Sequence, residues 1–281
     1  MNHIIRAPVK IRHQTRLRLV QVVTVQDISP RMRRVTFEGP DLHGFESLSP
    51  DDHVKLFFPR EGQDRPDLPV TGPDGLHYPD SAVRPETRDY TPRRFDAQAR
   101  RLVIEFVVHG AQPLAEGPLG EGAGSRWAAQ AAPGQWIGVA GPKSSTLIAE
   151  DYDSYLLVGD ETALPAMSRF LEEMAPGVRA LVLIEAADAR EFRKLPSAAN
   201  AEITWLYRDG SPAGQSGLLE TALRALMLPD GATHAWLAGE IETVRRLRAY
   251  LLAEEGFSKS QIRAAGYWRL GEAGAHTRLE D

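Results

Sequence analysis

The stretch "SYLLVGDETALPAMSRFLEEM", residues 154–174, decides the fold. Its first six residues are a short apolar run, of the kind a parallel sheet buries on both faces. Helical spacing follows at once, with Ala163, Leu164, Met167, Phe170, Leu171 and Met174 on one face. Downstream the alternation repeats. "RALVLIEA" (179–186) and "AEITWLYR" (201–208) read as buried strands, and "GLLETALRALML" (217–228) as a helix. "HAWLAGE" (234–240) is a strand leading into a helix striped by Ile241, Val244, Leu247 and Leu251, and "AAGYWRLGEAG" closes the series as a final strand. Strand–helix alternation of this kind means βαβ units and an open parallel sheet.

Upstream of residue 150 the pattern is different. "RLRLVQVVTVQDI" (16–28), "RMRRVTFEG" (31–39), "HVKLFFP" (53–59), "RLVIEFVVHG" (101–110) and "QWIGVAG" (135–141) are short, rich in β-branched residues and partly alternating. Gly and Pro punctuate them, so an antiparallel barrel or sandwich is expected. Residues 60–87 are rich in Pro, Gly and Asp and read as a long surface loop. The chain is therefore a β domain over 1–147 followed by an α/β domain over 148–281. Open α/β sheets bind ligands beyond the carboxyl ends of their strands, and domain interfaces favour pockets, so one cleft between the two is expected.

Composition narrows the chemistry. With 281 residues, 42% hydrophobic and 25% charged, the chain is ordinary globular protein. A net charge of −5 argues against a general nucleic-acid binder. Zero cysteines exclude disulfides and thiolate-held metal or iron–sulfur sites. The eight histidines show no metal-binding spacing, and no structural metal is expected. The first twenty residues lack the apolar core of a secretory signal, and no apolar run approaches the roughly 20 residues of a membrane span. A cytoplasmic location is the expectation.

Between the β runs lies "RPETRDYTPRRFD", residues 84–96. Arg88 offers a two-pronged grip for phosphate, Tyr90 a flat ring and a phenol, and Thr91 a hydroxyl for a heteroaromatic edge. Together they suit a planar heterocycle with a phosphate tail, although an edge strand with solvated arginines fits the same letters. His109 and Gly110 end the next strand. In "GAGSRWA", Gly124 and Ser125 precede a helical turn, where Gly allows close approach, Ser125 can cap, and exposed N–H groups favour an anion. A capped short helix with no ligand is the plain alternative.

Taken in order, "DHVKLFFP", "RDYTPRRFD", "FVVHG", "GSRWAAQAAPG", "VAGP", "GDETALPA" and "GYWRLG" resemble the siderophore-interacting proteins. These are FAD-containing ferric-siderophore reductases related to ferredoxin–NADP reductases. The resemblance runs from about residue 15 to 272. It implies a ferredoxin reductase-like arrangement: a six-stranded antiparallel FAD-binding barrel, then an open parallel-sheet NAD(P)H-binding domain. It also implies that Arg88, Tyr90 and Thr91 hold the flavin and its phosphates, that Val108, His109 and Gly110 line the flavin, and that Gly124, Ser125 and Trp127 serve the pyrophosphate. One departure is the absence of a Pro that the family often shows ahead of the Gly124 helix.

In the second domain no GxGxxG is present. "GDETALPA" supplies Thr162 as the expected N-cap and Pro165 in the first turn. By resemblance Asp160, Thr162 and Ala163 belong to the nicotinamide-nucleotide site, with Gly239 and Glu240 opposite. The acids Asp160 and Glu161 would repel a pyrophosphate unless they point away. Glu185 could accept from a ribose 2′-hydroxyl, favouring NADH, whereas Arg190, Arg193, Lys194 and Arg208 could hold the 2′-phosphate of NADPH.

Electron counting explains the cofactor, since a nicotinamide gives two electrons together while Fe(III) accepts one. Many ferric siderophores are anionic, so Lys55, Arg126 and Arg246 are candidate substrate contacts. Trp268 is either a shield for the flavin or nucleotide or a core residue. A ferredoxin is a possible alternative donor. Two competing readings remain at this stage: a non-catalytic siderophore-binding protein, and a flavin reductase feeding a partner protein.

Overall fold

The computed structural model describes residues 7–72, 75–79, 82–108, 122–149, 151–272 and 277–278. Among these the chain divides into two compact units, one built from residues 10 to 146 and the other from residue 147 onward. His109 and Gly110 lie outside the described residues.

The first unit contains strands β1 Val9–Arg12, β2 Leu17–Ser29, β3 Met32–Glu38, β4 Val54–Phe57, β5 Val70–Gly72, β6 Gly75–His77, β7 Thr87–Tyr90, β8 Pro92–Asp96, β9 Arg101–Val107, β10 Trp136–Ala140 and β11 Ser144–Leu147, with one helix, α1 Ala123–Ala129. Seven of these strands form one sheet in the order β7-β4-β10-β2-β3-β9-β8, and every neighbouring pair is antiparallel. The outermost strands β7 and β8 are separated in sequence only by Thr91. Chain continuity therefore brings the two ends of the sheet together at Thr91 and curls it into a half-barrel.

The sheet has seven strands where six were expected, and Pro92 explains the difference. Proline has no N–H for a ladder and belongs at a strand start or a bulge. Residues 87–96 accordingly split: the first half pairs with β4, and the second with β9, with a register shift between Pro92 and Arg94. The expected long loop at 60–87 carries a short hairpin of β5 and β6.

Alternation along the strands turns Val20, Val22, Val35, Phe37, Val54, Leu56, Leu102, Ile104, Phe106, Ile137 and Val139 into the barrel core. Each such side chain contributes about 1.5–3 kcal/mol when fully buried. Helix α1 adds Ala123 and Ala128 to this core. Its last carbonyls are capped by Arg33, whose Nη1 donates to the oxygens of Ala128 (2.9 Å) and Ala129 (2.8 Å).

The second unit contains β12 Ser154–Asp160, α2 Leu164–Glu173, β13 Arg179–Ala186, β14 Asn200–Tyr207, α3 Leu218–Ala225, β15 Thr233–Glu240, α4 Ile241–Ala253, β16 Ile262–Trp268 and β17 Thr277–Arg278. Its sheet order is β14-β13-β12-β15-β16-β17. The first five strands are parallel, and β17 is antiparallel. The chain starts at β12 in the middle, grows outward to β14, then returns to β15 on the other side. The switch point thus falls between β12 and β15, beyond Asp160 and Glu240.

Both faces of this sheet are covered. Leu157, Val182, Ile184 and Trp236 meet α2 through Leu164, Met167, Phe170 and Leu171. Leu156, Val158, Leu181, Leu183 and Leu237 meet α3 and α4 through Leu219, Leu223, Val244, Leu247 and Leu251. No helix among the described residues is long and apolar enough to cross a membrane.

Gly159 sets how closely β12 can lie to its neighbours. A Cβ there would stand 2.5 Å from the Ala238 carbonyl oxygen and 2.6 Å from the Ala163 Cβ. Neither can move without shifting backbone. Gly159→Ala is therefore expected to lower unfolding free energy by about 1–3 kcal/mol, read as a drop in urea midpoint at unchanged m-value. An unchanged midpoint would show that the strand ends are looser than this contact requires.

Candidate cofactor and substrate sites

Strand β7 places the RDYT residues at one end of the barrel sheet, with Arg88 registered on Leu56 and Tyr90 on Val54. Asp89 faces the other way and ties back to β4, where Lys55 Nζ donates to its Oδ1 at 2.8 Å. Arg88 is treated differently. Its Nη1 donates to the carbonyl of Thr87 at 2.7 Å, and among the described residues it forms no ion pair with a carboxylate. A half-buried guanidinium without a counter-charge is what a phosphate group suits.

Tyr90 packs its ring on Phe106, centroids 4.5 Å apart, and edge-on to Phe58 at 6.4 Å. Burial pushes its phenol well above the ordinary range, against the opposing charge of Arg88, so it stays neutral. Helix α1 comes so close that a Cβ on Gly124 would sit 2.0 Å from the Tyr90 hydroxyl oxygen. Only glycine fits there. Thr91, at the seam of the barrel, is buried. Trp127 lies among Phe37, Phe58 and Phe106, and its Nε1 is buried with no hydrogen-bond partner among the described residues. Ser125 is not the helix cap. It lies inside α1 and is buried, while Gly122 takes the cap position and no side chain caps there. Val108 is buried at the end of β9, its N–H donating to the Arg31 carbonyl at 2.8 Å. An arginine without an ion pair and an indole donor without an acceptor, both among the described residues, together with a glycine-limited approach, fit a bound flavin nucleotide.

In the second unit the expected nucleotide residues meet at the switch point. Asp160 Oδ1 accepts from the Thr162 N–H (2.9 Å) and hydroxyl (2.5 Å). Its Oδ2 accepts from Trp268 Nε1 (2.8 Å) and from the Glu240 N–H (3.2 Å). Gly239 makes this possible: its φ is +147°, and a Cβ would fall 2.7 Å from Asp160 Oδ2. Burial is the main reason the Asp160 carboxyl is pushed up to about 6. Hydrogen bonds from Thr162 and Trp268 act against the shift and the charge of Glu161 adds to it.

Several expectations need correcting here. Thr162 is not the N-cap of α2; that position is Ala163, without a side-chain cap, and Thr162 spends its hydroxyl on Asp160. Pro165 does sit in the first turn. Glu240, by contrast, caps α4 by accepting from the Thr243 N–H at 2.8 Å. Arg208 and Glu185 are not open to a ribose or its phosphate. Arg208 makes two 2.8 Å bonds to Glu161 and one of 3.4 Å to Glu185. Ser216 Oγ donates to Glu185 at 2.6 Å. Burial works to lower the Arg208 pKa but is outweighed by Glu161, Glu185 and Asp160, so the net shift is upward and the arginine stays charged. This lock resolves the awkward acids of "GDET": Glu161 is neutralised and Asp160 is saturated with donors. Sequence reasoning named its members but not their partnership, because the partner of Glu161 lies 47 residues away.

The three substrate candidates all carry partners. Lys55 pairs with Asp89 and Arg126 with Glu86 at 2.6 Å, while Arg246 pairs with Glu220. Their side chains are 41%, 47% and 50% exposed, in the same order. Pairs this exposed are worth about 0–1 kcal/mol and exchange readily. Arg190 is bound to Asp188 at 2.9 and 2.8 Å. Lys194 is exposed and has no ion pair among the described residues. No cluster of three or more histidine and carboxylate side chains among those residues could hold a metal.

A half-barrel followed by an α/β sheet of this order is the ferredoxin reductase-like arrangement, which defines a class of two-domain flavoprotein reductases. Residues 21–146 match the family model of the siderophore-interacting FAD-binding domain, and residues 152–271 that of the siderophore-interacting protein. The ferric vibriobactin reductase ViuB of Vibrio cholerae is 34% identical over 91% of this chain and 90% of its own. The NADPH-dependent ferric-chelate reductase of Escherichia coli is 33% identical over 95% and 99%. The crystal structure of a siderophore utilization protein from T. fusca superposes with a TM-score of 0.84 at 38% identity, covering 95% of this chain and 98% of that one. The chain belongs to the siderophore-interacting protein family.

The Asp160 network makes a pH prediction. The folded pKa of about 6 lies above the ordinary 3.8, so the folded chain holds this proton more tightly than the unfolded one. Stability from this group is then greatest at low pH and is lost as pH rises from about 4 to about 6. Asp160→Asn removes that slope. Between pH 4.5 and pH 7, urea denaturation should show wild type losing about 1–3 kcal/mol relative to the variant. A difference that stays flat would mean that the carboxylate is ionised throughout.

Proposed function

We infer that the chain is a flavin-dependent reductase of ferric siderophores, taking electrons from NADPH. FAD supplies the chemistry, accepting a hydride and releasing electrons one at a time to chelated iron. Reduction to Fe(II) lowers the charge of the metal, which loosens its hold on hard anionic oxygens. The protein's part is to bind and orient.

Residues 1–147 hold the flavin and residues 148–281 the nicotinamide nucleotide. The observation that carries the first assignment is the guanidinium of Arg88, without an ion pair among the described residues, close to the neutral phenol of Tyr90. Arg88 takes the phosphates, Tyr90 and Thr91 the ring system, and Val108, His109 and Gly110 its flank. Gly124 keeps α1 close, with Ser125 and Trp127 on the same helix. Asp160, Thr162, Ala163, Gly239 and Glu240 shape the nucleotide site by fixing the strand ends at the switch point. Lys194 takes the 2′-phosphate, since Arg208 is committed elsewhere. Lys55, Arg126 and Arg246 meet the anionic chelate by exchanging weak partners for it. The absence of cysteine supports work in the cytoplasm, and a ferredoxin is an alternative electron source.

The first test is an anaerobic titration of FAD-loaded protein with NADPH, then with a ferric siderophore. The flavin band should bleach and then return as ferrous iron appears. A band that bleaches but does not return would move the acceptor to a partner protein, and one that never bleaches would leave a binding role. Arg88→Ala is expected to weaken FAD binding roughly 10- to 100-fold, the loss of one charge-assisted hydrogen bond. Flavin fluorescence during equilibrium dialysis measures it, and equal retention by both proteins would remove Arg88 from the site. Lys194→Ala should raise KM for NADPH while leaving KM for NADH unchanged; parallel rises would assign the lysine no role in choosing between them.

A further inference from the structure

Arg18 occupies a position where the barrel has no reason to put a charge. It lies on β2, opposite Val139 of β10 and two residues before Val20, on the face that supplies the barrel core. The residue is only 4% exposed. Its Nε donates to the Asp41 carbonyl (3.1 Å), and its Nη1 to the carbonyls of Arg16 (3.1 Å) and Gly141 (3.0 Å). Its Nη2 makes no hydrogen bond among the described residues, and the guanidinium forms no ion pair there. Carbonyl dipoles satisfy N–H groups but do not cancel a charge. The nearby Asp41 carboxylate, which accepts from the Leu19 N–H at 3.2 Å, attracts the guanidinium through space without forming an ion pair with it. The Phe45 ring lies 5.2 Å from the guanidinium carbon, a further sign of a cation held in place.

A cavity of about 190 Å³ opens beside it, lined by His13, Gln14, Arg16, Arg18, Gly44, Glu46, Gly141 and Pro142. Arg16 is a second cation without an ion pair among the described residues, donating to Gln14 Oε1 at 3.2 Å. The acid in the lining is Glu46, largely exposed and 3.6 Å from His13 Nδ1. His13 Nε2 lies 2.7 Å from Ser145 Oγ, whose own proton goes to Asp52 at 2.6 Å. His13 must therefore donate from Nε2, which leaves Nδ1 on the Glu46 side. Whatever His13 contributes, the two arginines outnumber Glu46 in the lining and the cavity is cationic.

We propose that this cavity binds a small oxyanion, a phosphate or carboxylate group, through Arg18 and Arg16. Burying a charge without an ion-paired partner is costly. The three carbonyl bonds explain where Arg18 sits, but not its open Nη2, nor the second arginine on the same cavity. Burial, followed by repulsion from Arg16, lowers the pKa of Arg18, and the attraction of Asp41 offsets this only in part. An anion between the two relieves both. None of the lining residues is among those assigned to flavin, and the test reads binding, not turnover.

FAD-loaded full-length protein, in buffer free of oxyanions and at constant ionic strength, is titrated calorimetrically with inorganic phosphate and separately with acetate. Saturable binding of at least one is expected. Arg16→Gln, at an exposed position that folding does not need, should weaken it by about tenfold or more. Arg16→Lys should retain most of it, and Arg94→Gln, removing an exposed arginine elsewhere, should change nothing. Phosphate binding without acetate assigns a phosphate site, and binding of both assigns one that also takes carboxylates. The proposal is overturned if neither anion saturates, or if Arg16→Gln binds as tightly as wild type. It is equally overturned if binding appears only in FAD-free protein, because the anion would then be occupying the flavin phosphate site.

Discussion

A charge taken out of water must bring its partner with it, and the strand ends of the second unit are arranged around that constraint. Asp160 draws donors from its own turn, from the start of α4 and from Trp268 at the end of β16. Glu161 and Glu185 share Arg208. These bonds tie β12, β13 and β15 to the segments that follow β14 and β16, on the edge of the sheet where open α/β folds bind ligands. The glycines at 159, 214 and 239 follow from the same constraint. At each of them a Cβ would collide with the groups that make the network or with the backbone beside it.

The first unit handles charge in the opposite way. Lys55, Arg126 and Arg34 have carboxylate partners, whereas Arg88 and Arg18 are held by backbone carbonyls. A carbonyl fixes the position of a guanidinium while leaving its charge unspent. Pre-positioned cations of this kind lose little freedom when an anion arrives, so more of the interaction energy remains as affinity.

Much of this was legible in the letters. The apolar run at 154–159 and the helical stripe behind it gave the parallel sheet, because period and length rest on local chemistry. "RDYT" drew attention to Arg88, Tyr90 and Thr91 by its letters, but those letters fit a solvated edge strand equally well, and only the family resemblance pointed them toward a flavin. The strand count failed at Pro92, since the first half of 87–96 pairs with the distant β4 and the second with the nearby β9, and a local pattern cannot show that one run serves two strands. The caps assigned to Thr162 and Ser125 failed for a related reason. A hydroxyl near a helix start looks like a cap until a stronger acceptor is found close by, as Asp160 is for Thr162. The letters of Glu185 and Arg208 suit a ribose or a phosphate, and only the fold shows Arg208 held chiefly by Glu161 and Glu185 held by Ser216 and Arg208.

The single residue between β7 and β8 has a consequence for how chain length can vary. Thr91 joins strands at opposite ends of a curled sheet, so its neighbours on either side are fixed by different partners. One residue inserted there would reverse the facing of every side chain on one side of the seam, turning Arg88 and Tyr90 away or driving Arg94 and Asp96 inward. The stretch between β4 and β7 is less restricted: Leu68 and Arg65 touch β10 at Gly138 and Trp136, but no strand register of the main sheet runs through it. Insertions and deletions are therefore absorbed more readily between β4 and β7, away from Arg65 and Leu68, than at Thr91, where the seam must stay in register.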